Sequence, residues 1–70
     1  MKEIAPGVVV DEKIKLGKPV IKGTRIPVDL ILGKIASGMS FEEIMREYDI
    51  ERRDILNAIS YAAKLVKEEI

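Results

Sequence analysis

Arg53, Asn57, Ser60 and Lys64 recur at increments of four, three and four near the end of the chain, with Arg52 beside them. On a helix this spacing lines them up as one polar stripe opposite Ile55 and Ile59. The chemistry available to such a stripe is base reading. A guanidinium forks onto guanine and a carboxamide onto adenine, each discriminating by about 1–3 kcal/mol. Arg52, Arg53, Asn57, Ser60 and Lys64 are therefore the candidate DNA-binding residues. The competing role for the arginines is pairing with nearby acids on an exposed helix, worth well under about 1 kcal/mol per pair. Glu42, Glu43, Glu47, Asp49, Glu51 and Asp54 crowd the same region. Their repulsion of phosphates erodes the counterion-release contribution that supplies much of DNA affinity.

A second group is basic and acid-free. Residues 13–25 hold Lys13, Lys15, Lys18, Lys22 and Arg25 with no carboxylate among them. Such a segment attracts phosphate or a carboxylate-rich protein surface. Lysines on an exposed strand also serve to keep its edge from pairing with other chains. Within the segment, Gly23 suits a turn and Thr24 a strand, whereas Arg25 has no evident core role. Its planar fork matches carboxylates, including those of an acid-lined enzyme site. The structural alternative is an ion pair with Asp29 or a carbonyl at the end of the first helix. Lys18, Lys22 and Arg25 are the candidate partner-binding residues.

The twelve basic and twelve acidic side chains cancel overall but not locally. Residues 1–35 carry a net +3 and residues 36–70 a net −3. The chain has no Cys and no His. That removes thiol and imidazole nucleophile and base chemistry and the usual soft-metal ligands, so no catalytic residue, metal or cofactor is expected. A chain of 70 residues also offers little room for a concave substrate pocket. Phe41, Tyr48 and Tyr61 are too few and dispersed to stack single-stranded bases. No apolar run approaches the roughly twenty residues that span a bilayer, and Met1 to Gly7 lack a signal-peptide stretch, which points to the cytoplasm. A domain this small buries only about 60% of its unfolded surface. A homodimer is the expected way to add to its core.

The elements that position these groups follow from pattern. Val8-Val9-Val10 reads as a strand, and Pro19 to Val28 as two short strands around a turn at Gly23. Asp29 is a candidate N-cap for a first helix over 30–37, which Gly38 ends as C′ glycine. Gly33 inside that helix costs about 1 kcal/mol, which suggests close approach of another backbone element. Ser40-Phe41-Glu42-Glu43 is a capping box, with Met39 and Ile44 as its hydrophobic staple, and starts a helix from Phe41 to about Tyr48. After a break at Asp49-Ile50-Glu51, Ile55, Ile59, Ala62 and Val66 recur at helical spacing on one face of a last helix, thinned by Ala58, Ala62 and Ala63. Short helix, three-residue break and long helix match a helix-turn-helix. The expected fold is α+β in one domain over 1–70, a β-ribbon or hairpin over 1–28 followed by a three-helix bundle over 29–70.

The string Gly17-Lys18-Pro19-Val20-Ile21-Lys22-Gly23-Thr24-Arg25-Ile26-Pro27-Val28, followed by Ser37-Gly38-Met39-Ser40-Phe41-Glu42-Glu43-Ile44, strongly resembles family 433 of the domains of unknown function. Tyr61-Ala62-Ala63 is similar to the family's last-helix signature. The resemblance covers roughly residues 8–64, counted from the first predicted strand into the last predicted helix. It implies a small β-ribbon with a homeodomain-like helical unit. It also implies an antitoxin of a two-gene module, partnered by a PIN-like ribonuclease toxin encoded next door; with the helix-turn-helix spacing, the reading extends to repression of its own promoter by DNA binding. The alternative function is a protein-interaction module or small dimeric adaptor that binds no DNA. Two positions depart from the family pattern: Asp11-Glu12 stands where Asp-Pro is common, and Glu51 where a Ser or Thr opens the last helix. Glu51 is a poorer cap and puts a negative charge where a phosphate would approach.

Overall fold

The computed structural model describes residues 1–69. Three short antiparallel strands, β1 (Lys2–Ala5), β2 (Val8–Val10) and β3 (Val20–Ile21), form a sheet in the order β1-β2-β3. Three helices follow, α1 (Val28–Ala36), α2 (Phe41–Tyr48) and α3 (Arg52–Glu69). The α+β class and the order of ribbon and helical unit are as expected from the sequence.

β1 is an addition to the sequence reading. It is joined to β2 by Pro6-Gly7, with Gly7 at φ +74. Proline pre-sets the first central position of a type II turn and glycine accepts the positive φ of the second, so this dipeptide closes a hairpin. The strand expected after Gly23 is not formed. Ile21 N–H bonds the Ile26 carbonyl, and a single bridge links Val20 to Pro27. Thr24 acts in the turn instead of a strand: its hydroxyl donates to the Ile21 carbonyl and accepts from Ile26 N–H. Two prolines bracketing the segment leave too few amide donors for a ladder.

The first helix starts two residues earlier than expected. Pro27 is the N-cap residue, and Asp29 lies inside the first turn without capping it. Its end is as expected, with Gly38 at φ +96 and Met39 N–H returned to the Lys34 carbonyl. Gly33 is a correction: nothing lies within 4 Å of where its Cβ would stand. The capping box of α2 is complete, Glu43 N–H to Ser40 Oγ at 3.1 Å and Ser40 N–H to Glu43 Oε1 at 3.0 Å. Asp49 closes α2 in the left-handed conformation, at φ 54. At the start of α3, Asp54 Oδ2 accepts Glu51 N–H at 2.9 Å, so half of a capping box offsets the weak cap.

The main core cluster joins Val8 and Ile21 from the sheet, Val28 and Ile31 from α1, Ile44 from α2, Ile50 from the turn, and Ile55 and Ala58 from α3, while Val9 and Val20 of the sheet are buried outside it. Met39, the expected staple residue, packs against it. No side chain is both polar and buried among the described residues. Packing of branched aliphatics from every element, not polar networks, therefore holds the fold together.

Candidate partner and nucleic-acid surfaces

The α2, turn and α3 arrangement presents the arginine end of α3 at the surface, but the stripe is largely engaged within the chain. Arg52 ion-pairs with Glu42 and its guanidinium carbon lies 5.3 Å from the centroid of the Phe41 ring. Arg53 Nε sits 3.0 Å from Glu51 Oε1, with the Arg53 side chain 79% exposed. Asn57 is half-buried beneath the β1–β2 hairpin. A Cβ on Gly7 would stand 2.4 Å from Asn57 Nδ2, so the turn can approach this closely only because residue 7 is glycine. Ser60 and Lys64 are exposed and line a shallow cleft with Ala5, Pro6, Asn57 and Tyr61. The five candidate DNA-binding residues thus share one helix, while the hairpin tip lies across the middle of their stripe. Pro6-Gly7 between apolar neighbours was the available sequence signal; that the hairpin would fold onto α3 has no local signature.

The basic segment is divided. Lys18 bonds Asp29 of α1 at 2.8 Å, and Lys22 bonds Glu3 of β1 at 2.9 Å. Asp29 is thereby taken, so the expected Arg25–Asp29 pair does not form. Arg25 is exposed in the turn after β3 and has no ion pair among the described residues. Lys15, Leu16 and Gly17, at φ 51, 57 and 82, make a left-handed turn before β3. Leu16 there is 96% exposed, an unusual placement for a leucine in a conformation that L-residues avoid.

Three carboxylates are held below their ordinary values. Glu3 is lowered first by the Gly7 N–H and then by Lys22. Asp29 is lowered chiefly by its bond to Lys18, and Glu43 by the Ser40 N–H and hydroxyl. Each is a tie between two elements or across a cap. Among the described residues, no group of three or more carboxylates gathers as a metal site, and no helix is long and apolar enough to cross a membrane.

The described residues thus form a small three-stranded antiparallel sheet followed by three helices. The family described as "Protein of unknown function (DUF433)" matches residues 8–62, and the chain belongs to that family. An "Uncharacterized protein" of Archaeoglobus fulgidus (strain ATCC 49558 / DSM 4304 / JCM 9628 / NBRC 100126 / VC-16) is 81% identical over 21 residues, 30% of this chain. The match spans 58% of that relative's length. No solved structure matches the chain significantly.

Proposed function

We propose that this chain is a cytoplasmic protein-interaction module of the antitoxin type, which sequesters an acidic enzyme, a PIN-like ribonuclease encoded beside it. The observation that carries this choice over DNA reading is the seating of Gly7 on Asn57. A reading helix must lay its stripe into the major groove, and here the chain's own hairpin occupies the middle of that stripe. By contrast, Arg25 stands exposed with no ion pair among the described residues. A guanidinium in that state can fork onto carboxylates at no cost in existing bonds. Leu16 adds an exposed apolar anchor within the same basic segment.

Co-expression with the adjacent reading frame tests this. The complex is expected to co-purify, to weaken with Arg25→Glu, and to be unaffected by Arg53→Ala with Lys64→Ala. Failure to co-purify with the neighbour's product, or indifference to Arg25→Glu, removes the proposal. Operator binding is the second reading, favoured by the exposed Arg53 at the start of α3. It expects a mobility shift that weakens steeply with salt and is abolished by Arg53→Ala with Lys64→Ala.

A further inference from the structure

We infer that the turn over Lys15, Leu16 and Gly17 is a preformed binding loop, which holds Leu16 out for an apolar pocket rimmed by carboxylates on a protein partner. The inference rests on the partner reading above and adds to it the loop that fills the pocket. β2 and β3 are antiparallel neighbours, with Val8 opposite Ile21 and Val9 opposite Val20. Such a pair is commonly joined by about two to five residues. Here residues 11–19 make the connection, and none of them is buried. Ile14 is half-buried, whereas Leu16, two residues on, is 96% exposed. The extra length therefore adds little to the core. It is tied down all the same. Ile14 N–H donates to the Asp11 carbonyl at 2.8 Å, Gly17 N–H to the Ile14 carbonyl at 3.1 Å and Lys18 N–H to the Lys15 carbonyl at 3.2 Å. Lys18 Nζ, 2.8 Å from Asp29, fixes the far end to α1. Within these ties Lys15 and Leu16 stand at φ 51 and 57, a region that bulky L-residues avoid. Strain at a side chain that packs against almost nothing in its own chain points to what the side chain presents to another. A loop whose internal bonds are already made also loses little freedom on binding.

Charge selects the occupant. From Lys13 to Arg25 the chain has five cations and no carboxylate. Lys13 and Lys15, on either side of Ile14 and next to Leu16, have no ion pair among the described residues. Asp11 and Glu12 are the nearest acids before them, and the Asp11 carboxylate already accepts the Lys13 N–H at 3.0 Å. A protein surface bearing carboxylates complements this set. A two-fold contact with a second copy through the loop would set the same cations against each other. Phosphates position a chain through charge and hydrogen bonds, and leucine offers them neither. A bilayer is held by an acyl chain or a whole apolar helix face, far more than one leucine buries. A pocket on a folded protein suits one apolar side chain, desolvated there and ringed by contacts that exclude water.

Asparagine tolerates the left-handed region, so Leu16→Asn separates presentation from folding. The Tm of the free chain should hold or rise. The Kd for the product of the adjacent reading frame, measured by titration calorimetry, should rise about tenfold or more. Leu16→Met, which keeps an adaptable apolar side chain, should retain most of the affinity. Leu56→Asn, at a leucine 48% exposed on α3, should leave the Kd unchanged. A complex that weakens with Arg25→Glu but is indifferent to Leu16→Asn overturns the loop and leaves the partner reading standing. Absence of any complex removes both. A Tm lowered by Leu16→Asn makes Leu16 a folding residue and overturns the inference. So does Leu16-dependent binding of the free chain to phosphatidylserine vesicles, or Leu16-dependent self-association in sedimentation velocity, since either gives the loop another occupant.

Discussion

Replacing Gly7 with alanine is the sharpest test of how the ribbon sits on the last helix. The new Cβ would stand 2.4 Å from Asn57 Nδ2, 3.1 Å from its Cγ and 3.3 Å from its Cβ. The amide can swing aside by side-chain rotation, but Cβ moves only if α3 or the hairpin moves. Gly7 also lies at φ +74, where an L-residue costs about 1–2 kcal/mol. Overpacking against Asn57 adds about 1 kcal/mol or more. Gly7→Ala should therefore cost about 2–4 kcal/mol, a large part of the stability of so small a domain. The corresponding drop in Tm is roughly 10–25 °C. Urea unfolding of wild type, Gly7→Ala, Asn57→Ala and the double variant, at one protein concentration, separates the two contributions. The cost of Gly7→Ala should fall by about 1 kcal/mol in the Asn57→Ala background, leaving the backbone part. If the cost is the same in both backgrounds within about 0.5 kcal/mol, the turn is not seated on Asn57. The stripe is then open to DNA and the choice of function above loses its footing.

Ser40→Ala removes the hydroxyl that accepts the Glu43 N–H, while the residue-40 N–H still reaches the Glu43 carboxylate, and should destabilise by about 1 kcal/mol in the same unfolding assay; no loss would mean the cap is not formed in solution. Gly33→Ala places a methyl in open space on a helix and should stabilise by up to about 1 kcal/mol, while a loss of stability would reveal a contact there. Ile31→Ala, at the centre of the core with 0% exposure, should cost about 2–5 kcal/mol, and a smaller cost would place the core elsewhere. Glu3, Asp29 and Glu43 are lowered in the folded state, so their contribution is present above the ordinary carboxylate range and lost as pH falls through their folded values. Thermal melts should decline below about pH 4, and a Tm that holds or rises at pH 3 would contradict the assigned ties.

The helical half was readable because its signals are local. Ser40 and Glu43 satisfy each other's amides three residues apart, and Gly38 accepts a positive φ at the end of α1. Neither needs anything distant. The β half was less readable because short strands owe their existence to partners. Lys2–Ala5 has little strand character of its own and pairs because Pro6-Gly7 folds it onto β2. Ile26 and Pro27 look like a strand, but two prolines limit the ladder they can make. Asp29 reads from sequence as a cap and as one alternative partner for Arg25, beside a helix-end carbonyl. It is neither, since Pro27 opens α1 and Lys18 reaches Asp29 first across the ribbon.

By itself the sequence determined the order of ribbon and helices, the capping box of α2 and the lack of thiol and imidazole groups, all set by residue type and near-neighbour spacing. Of the last-helix face expected to be buried, Ile55 is buried while Val66 is 59% exposed. Tertiary structure alone decided which charges are free and which face of α3 is covered. Arg53, Asn57, Ser60 and Lys64 share a stripe by helical arithmetic, yet only Asn57 is pinned beneath Gly7, fifty residues away in the chain. Whether a side chain can meet a partner depends on desolvation and on competing bonds from distant segments, and spacing along the sequence does not encode those.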